Sequence, residues 1–118
     1  MWKLLLVAFL VVSSSSALDV DGKWWGDMVS DGGSQPLYVT LIQQGTTLKG
    51  TGGPSPTDQD LLTGKIEGTR IIFDVTRAGR TPLHFELSSN SAGLAGIVQA
   101  RHNGQTVTAK VSLRKRST

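Results

Sequence analysis

From Gly22 to Arg114 no apolar run in this chain lasts more than a few residues before a Gly, Asn or Ser turn interrupts it. Within the runs, apolar residues recur at every second position, the mark of a strand with one buried face, and turns this short join antiparallel neighbours. Eight strands are expected, over residues 23–29, 37–43, 47–52, 61–67, 71–77, 83–88, 94–101 and 106–114. Short, evenly spaced strands of this kind wind into a sandwich or a closed barrel. The chain has no cysteine to staple a loop-rich scaffold, which favours the barrel. The predicted fold is therefore all-β, an up-and-down antiparallel β-barrel of about eight strands.

Registers follow from the turns. Asn103-Gly104 is the pair that a type I′ hairpin requires, and it sets Ala100, Val98, Gly96 and Leu94 opposite Val107, Ala109, Val111 and Leu113. All eight share one apolar face, and Gln99, Lys110 and Ser112 share the other. A turn at Thr69-Arg70 pairs Ile66 with Phe73 inside and Lys65 with Asp74 outside; a loop at Ala78-Gly79-Arg80 sets Phe73 against Phe85 and Asp74 against His84. The interior set runs from Trp24 and Met28 on the first strand, through Leu83 on the sixth, to Val107, Val111 and Leu113 on the last. Gly50, Gly64 and Gly96 close three Leu-x-Gly triplets on that inward face, where a missing side chain makes a bend or leaves room for a ring such as Trp24, Phe73 or Phe85. Residues 53–60, with Pro54 and Pro56 and no alternation, are expected to form a surface loop at the barrel mouth.

The first seventeen residues follow another logic. Lys3 precedes an apolar stretch over 4–12, and Ser15 and Ala17 are the small residues that a signal peptidase reads. The stretch is too short to span a bilayer. Residues 1–17 are thus expected to be a secretory signal peptide and residues 18–118 a single β-barrel domain, secreted or periplasmic. The net charge is +3, one unit of it from Lys3, and the basic residues are scattered apart from Arg114-Lys115-Arg116, a solvated end rather than a nucleic-acid footprint.

Gly22-Lys23-Trp24 opens the first strand and the basic Arg114 ends the last; closure would bring the two together with the guanidinium over the Trp24 indole. Gly-x-Trp with a terminal basic residue resembles the lipocalin and calycin pattern, the meander is similar to that of avidin, and the stretch as a whole resembles small lipocalin-like barrel domains of secreted bacterial proteins. The chain departs from lipocalins in its shorter length and in lacking a C-terminal helix and the later signature segments. It has no matching set of biotin-binding residues. The resemblance implies a barrel and, faintly, a ligand.

Catalytic chemistry finds little footing. There are two histidines, no Gly-x-Ser-x-Gly elbow and no phosphate-binding Gly-rich loop followed by a helix. Asp74, His84 and Glu86 meet on the outer face in a composition that suits Zn²⁺ or Mn²⁺, but Lys65 competes for Asp74 and such clusters are common on sheets. Asp58 and Asp60 fall in the expected loop, away from any apolar pocket. No enzyme activity, metal or cofactor is expected, nor a nucleic-acid partner or a membrane span, and the chain is expected to be a monomer. Two readings stay open. In a carrier of a small hydrophobic molecule, Trp24, Tyr38, Phe73 and Phe85 line a cavity in the barrel mouth. In a packed interaction or accessory domain, Trp25 and Tyr38, on the face opposite the main apolar set, form an aromatic platform for a protein or carbohydrate partner.

Overall fold

The computed structural model describes residues 18–116. The leader expected over 1–17 lies outside the described residues. Eight strands run in chain order: β1 (Gly22–Ser30), β2 (Gly33–Gln44), β3 (Thr47–Ser55), β4 (Asp58–Glu67), β5 (Arg70–Thr76), β6 (Leu83–Asn90), β7 (Gly93–His102) and β8 (Gln105–Lys115). Each pairs antiparallel with its sequence neighbours, and β8 returns to β1, so the sheet is a closed up-and-down barrel. Closure satisfies both edges of every strand, which a lone sheet of this size cannot do. No helix among the described residues is long and apolar enough to cross a membrane.

The alternation builds the core directly. Leu37, Val39 and Leu41 of β2 are buried, as are Ile71, Phe73 and Val75 of β5, while the residues between them are half-buried or exposed. In the middle of the barrel the rings of Phe73 and Phe85 stack at 4.7 Å between centroids and 20° between planes. Leu48, Leu62, Leu87 and Leu94 belong to the same buried cluster, so the middle of the barrel is filled by side chains. Gly64 faces Phe73 across the β4–β5 ladder, and a methyl group there would overlap the Ile72 carbonyl oxygen and Phe73 Cβ. Gly96 lies against the β6 backbone at Glu86 in the same way. These glycines let the strands approach and bend, as expected of inward glycines in a narrow barrel.

The Asn103-Gly104 hairpin has the expected register, with both residues at positive φ (52° and 79°) as a type I′ turn demands. Phe73 and Asp74 face Phe85 and His84 as read from the sequence. Two expectations are corrected. The β4–β5 turn is Gly68-Thr69, so Ile66 opposes Ile71 and Lys65 opposes Ile72, a shift of two that keeps every side chain on its expected face. Residues 53–60 are also no long loop, because β3 continues to Ser55, β4 begins at Asp58, and the register shift between Gly52 and Ser55 absorbs the irregularity. Pro54 occupies that irregularity, where a ladder N–H is dispensable, and Pro56 takes the turn. Side chains stitch the corner: Asp58 N–H donates to Ser55 Oγ at 3.1 Å, and Gln59 Nε2 donates to the carbonyls of Ser55 (2.7 Å) and Tyr38 (3.2 Å).

The two ends of the barrel differ. At the end where β1 starts and β8 finishes, residues 18–21 fold across the opening and bury Val20. Gln43 holds this floor: its Oε1 accepts from Val20 N–H at 2.8 Å, and its Nε2 donates to the carbonyls of Leu18 (2.9 Å) and Gly45 (3.0 Å). Asp21 Oδ1 accepts from Gln43 N–H at 2.8 Å, and Trp24 Nε1 donates to the Val20 carbonyl at 2.9 Å. The opposite end, framed by the β1–β2, β3–β4, β5–β6 and β7–β8 turns, is open.

Candidate functional site

The open end is where the inward alternation outlasts the core. Met28, Leu83 and Ala109 are only half-buried, and Val107, at an inward register position opposite Ala100, is 50% exposed. With Val98 and Ala100 they wall a cavity of about 300 Å³, closed on its remaining side by Ser30, Gly32, Gly33, Ser34 and Gln35 of the β1–β2 hairpin. A second recess of about 150 Å³ shares Met28, Gln35 and Leu83 with the first and reaches down to Leu37, Val75 and Phe85. Its rim carries Asp58, Asp60, Arg77 and Arg80.

Three of those charges stand where alternation puts them. Asp58 and Asp60 precede Leu62 by four and two residues on β4, and Arg77 follows Val75 by two just past the end of β5, so each continues an inward row past the end of the core. The placement of the aspartates away from an apolar pocket is thereby corrected: they look onto one. Arg77 Nε and Nη2 donate to the Thr81 carbonyl at 3.1 and 2.7 Å, pinning the β5–β6 loop. Burial lowers the Arg77 pKa from its ordinary value and the nearby Arg80 lowers it further, while Asp60 opposes both. Among the described residues these four side chains form no ion pair with one another.

The expected cavity residues separate. Trp24 belongs to the floor, buried under Val20 with the Lys115 ammonium 5.6 Å from its ring centroid. The basic partner of Trp24 is thus Lys115, not Arg114, because inward Leu113 puts the odd-numbered neighbour on the same side. Phe73 is consumed by the core stack, and Phe85, stacked against it from the neighbouring strand, alone of the four also touches the mouth. Tyr38 is not interior: it faces Trp25 across the β1–β2 ladder on the outer wall. Sequence reasoning missed Met28, Leu83 and Val107 as mouth residues, since the pattern that marks a core position does not say at which level the core ends.

The outer wall has two features. On β8–β1–β2 the Arg114 guanidinium lies 4.7 Å from the Trp25 ring centroid, Arg116 lies 5.9 Å from Tyr38, and Trp25 remains 40% exposed. Trp25 and Tyr38 are thus cross-strand neighbours on the outer wall, each with a cation over its ring. On β5–β6 His84 bridges two carboxylates, Nδ1 to Asp74 at 2.6 Å and Nε2 to Glu86 at 3.1 Å, and Glu86 also pairs with Arg70. Lys65 pairs with Glu67 at 2.8 Å rather than with Asp74. The hydrogen bond to Asp74, with a smaller contribution from Glu86, raises the His84 pKa despite partial burial, and Glu86 is lowered by His84 and then Arg70. With both ring nitrogens spent on carboxylates, His84 offers no lone pair to a cation in this arrangement. No family model, curated protein or solved structure matches the chain.

Proposed function

We propose that this protein is a non-catalytic binding module that takes a small, largely apolar molecule into the open mouth of its barrel and works outside the cytoplasm. The observation that carries the reading is the half-exposed inward wall of Met28, Leu83 and Val107 around a space of about 300 Å³. Apolar side chains held at inward positions without a core to cover them gain by covering with a ligand, at roughly 25 cal/mol per Å² buried. A volume at the lower limit of ligand pockets, about 300 Å³, implies a small guest. Neither histidine lines this space, so no imidazole stands ready there as a general base. The leader-like segment over residues 1–17 supports export.

Tryptophan emission is a poor reporter, because Trp24 sits in the floor and Trp25 outside. Met28 is a good one, since only Met1 shares its label. With ¹³C-methyl methionine, a panel of small apolar compounds should shift the Met28 methyl signal, and Val107→Asp should weaken the response at least tenfold. A Met28 signal that no compound moves would end this reading.

The cation-bearing ladder of Trp25 and Tyr38 supports a second reading, an outer-wall contact with a carbohydrate or protein partner. It predicts that Trp25→Ala abolishes binding of that partner while Val107→Asp leaves it intact.

A further inference from the structure

We infer that the guest of the mouth is a zwitterion, an apolar body carrying one ammonium and one carboxylate. This inference rests on the binding reading above and names the chemistry of its ligand. The mouth is divided by character. Its β7–β8 side is apolar, with Val98, Ala100, Val107 and Ala109, and its β4–β5 side carries Asp58, Asp60, Arg77 and Arg80. Met28 and Leu83 belong to both sides and join them into one continuous surface.

Opposite charges around one recess ordinarily pair with one another, because a half-buried charge without a counter-ion is costly. Here they do not. Asp58 and Asp60 project from one strand at a spacing of two residues. Arg77 is turned toward the Thr81 carbonyl, and Arg80 stands in the same loop. The result is a flank of mixed sign, two carboxylates on β4 beside two guanidiniums at and beyond the end of β5, along one side of an apolar recess. A purely anionic guest would meet two carboxylates, and a purely cationic one two guanidiniums. A neutral apolar guest would displace water from the half-buried Asp60 and Arg77 and give neither a partner. A molecule bearing both charges on neighbouring atoms answers both halves of this flank, with the ammonium donating to the Asp58 and Asp60 carboxylates and the carboxylate accepting from Arg77 and Arg80. Its apolar body then lies along Leu83 and Val107. Amino acids with large apolar side chains have this chemistry.

Four probes with one benzyl body separate the possibilities: phenylalanine, hydrocinnamic acid (carboxylate alone), phenethylamine (ammonium alone) and phenethyl alcohol (neither). Titrations of the full exported domain, followed by the Met28 methyl signal, should give phenylalanine at least about fivefold tighter binding than each of the others. In Arg80→Gln the advantage of phenylalanine over phenethylamine should fall away while its advantage over hydrocinnamic acid persists; Asp58→Asn should do the reverse. Both positions are exposed, and the amide signals of the barrel core verify folding in each variant. Equal affinities across the four probes, or a preference for either singly charged one, would overturn the inference while leaving a binding mouth in place. A Met28 signal unmoved by any of the four, and by the wider apolar panel, would remove the mouth reading and this inference together.

Discussion

Gly64 shows how much a missing atom can decide. Phe73 occupies the space that any side chain at 64 would need, and the β5 backbone at Ile72 passes equally close. A methyl group there forces either the ring or the strand to move, and overpacking of this kind costs about 1–3 kcal/mol. Gly64→Ala is accordingly expected to lower stability by that amount in chemical denaturation, and Gly64→Ala combined with Phe73→Leu to recover part of the loss. An unchanged midpoint in the single variant would show that the strands do not approach as closely as described. This role is legible in the sequence: an inward glycine in the Leu62-Thr63-Gly64 triplet has to be explained by a bend or a ring, and here it is both. Less legible was Gln43. Its inward position at the end of β2 looks like an ordinary break in alternation until three backbone partners gather around its amide.

Among the elements, β5 and β6 carry the charge network whose pH dependence can be worked out. The protonated form of His84 is the one its two carboxylates favour, so its folded pKa stands above the ordinary 6.5. The stabilisation it supplies is then complete below about pH 6.5 and is lost as pH rises through the raised value. Glu86, and Glu67 beside Lys65, are lowered from 4.5, so their contributions hold above about pH 4.5 and fade as acid carries the solution through the lowered values. The melting temperature of the wild-type barrel should therefore decline by a few degrees at most between about pH 6 and pH 8, the scale set by solvent-exposed pairs. His84→Gln should flatten that decline, and an equal slope in both proteins would show that the bridge contributes nothing. The sequence places the β7–β8 boundary well at Asn103-Gly104, where the turn announces itself, but sets the β4–β5 turn one residue late and starts β2 at 37 where the strand begins at Gly33. It also misleads at residues 53–60, where two prolines suggest a loop. The chain instead uses one proline at a strand irregularity and the other at the turn, a distinction that depends on which N–H groups the neighbouring strand needs. The same misreading hid Asp58 and Asp60, whose spacing from Leu62 already placed them on the inner face.

For the whole molecule, the consequential fact is that one end is sealed and the other is not. Period-two patterning specifies which side chains point to the axis but not how far along the axis they are covered, so the filled middle and the open mouth had to be seen. Separation of the two ends is itself testable. Gln43→Leu leaves the backbone groups of Leu18, Val20 and Gly45 without their amide partner, a loss of about 1–3 kcal/mol where such groups are shielded from water. The variant should unfold at lower denaturant and shift the Trp24 indole signal, yet leave the Met28 methyl resonance where it was. Movement of both signals together would mean that the floor and the mouth are coupled through the Phe73–Phe85 stack.

Both ends of the described chain, residues 18 and 116, emerge beside the floor, because an even number of up-and-down strands returns to its starting level. Anything attached through either of them, whether a neighbouring domain, an affinity handle or a sensor chip, hangs from the underside of the cup. The rim then points away from its support, free to sample solution.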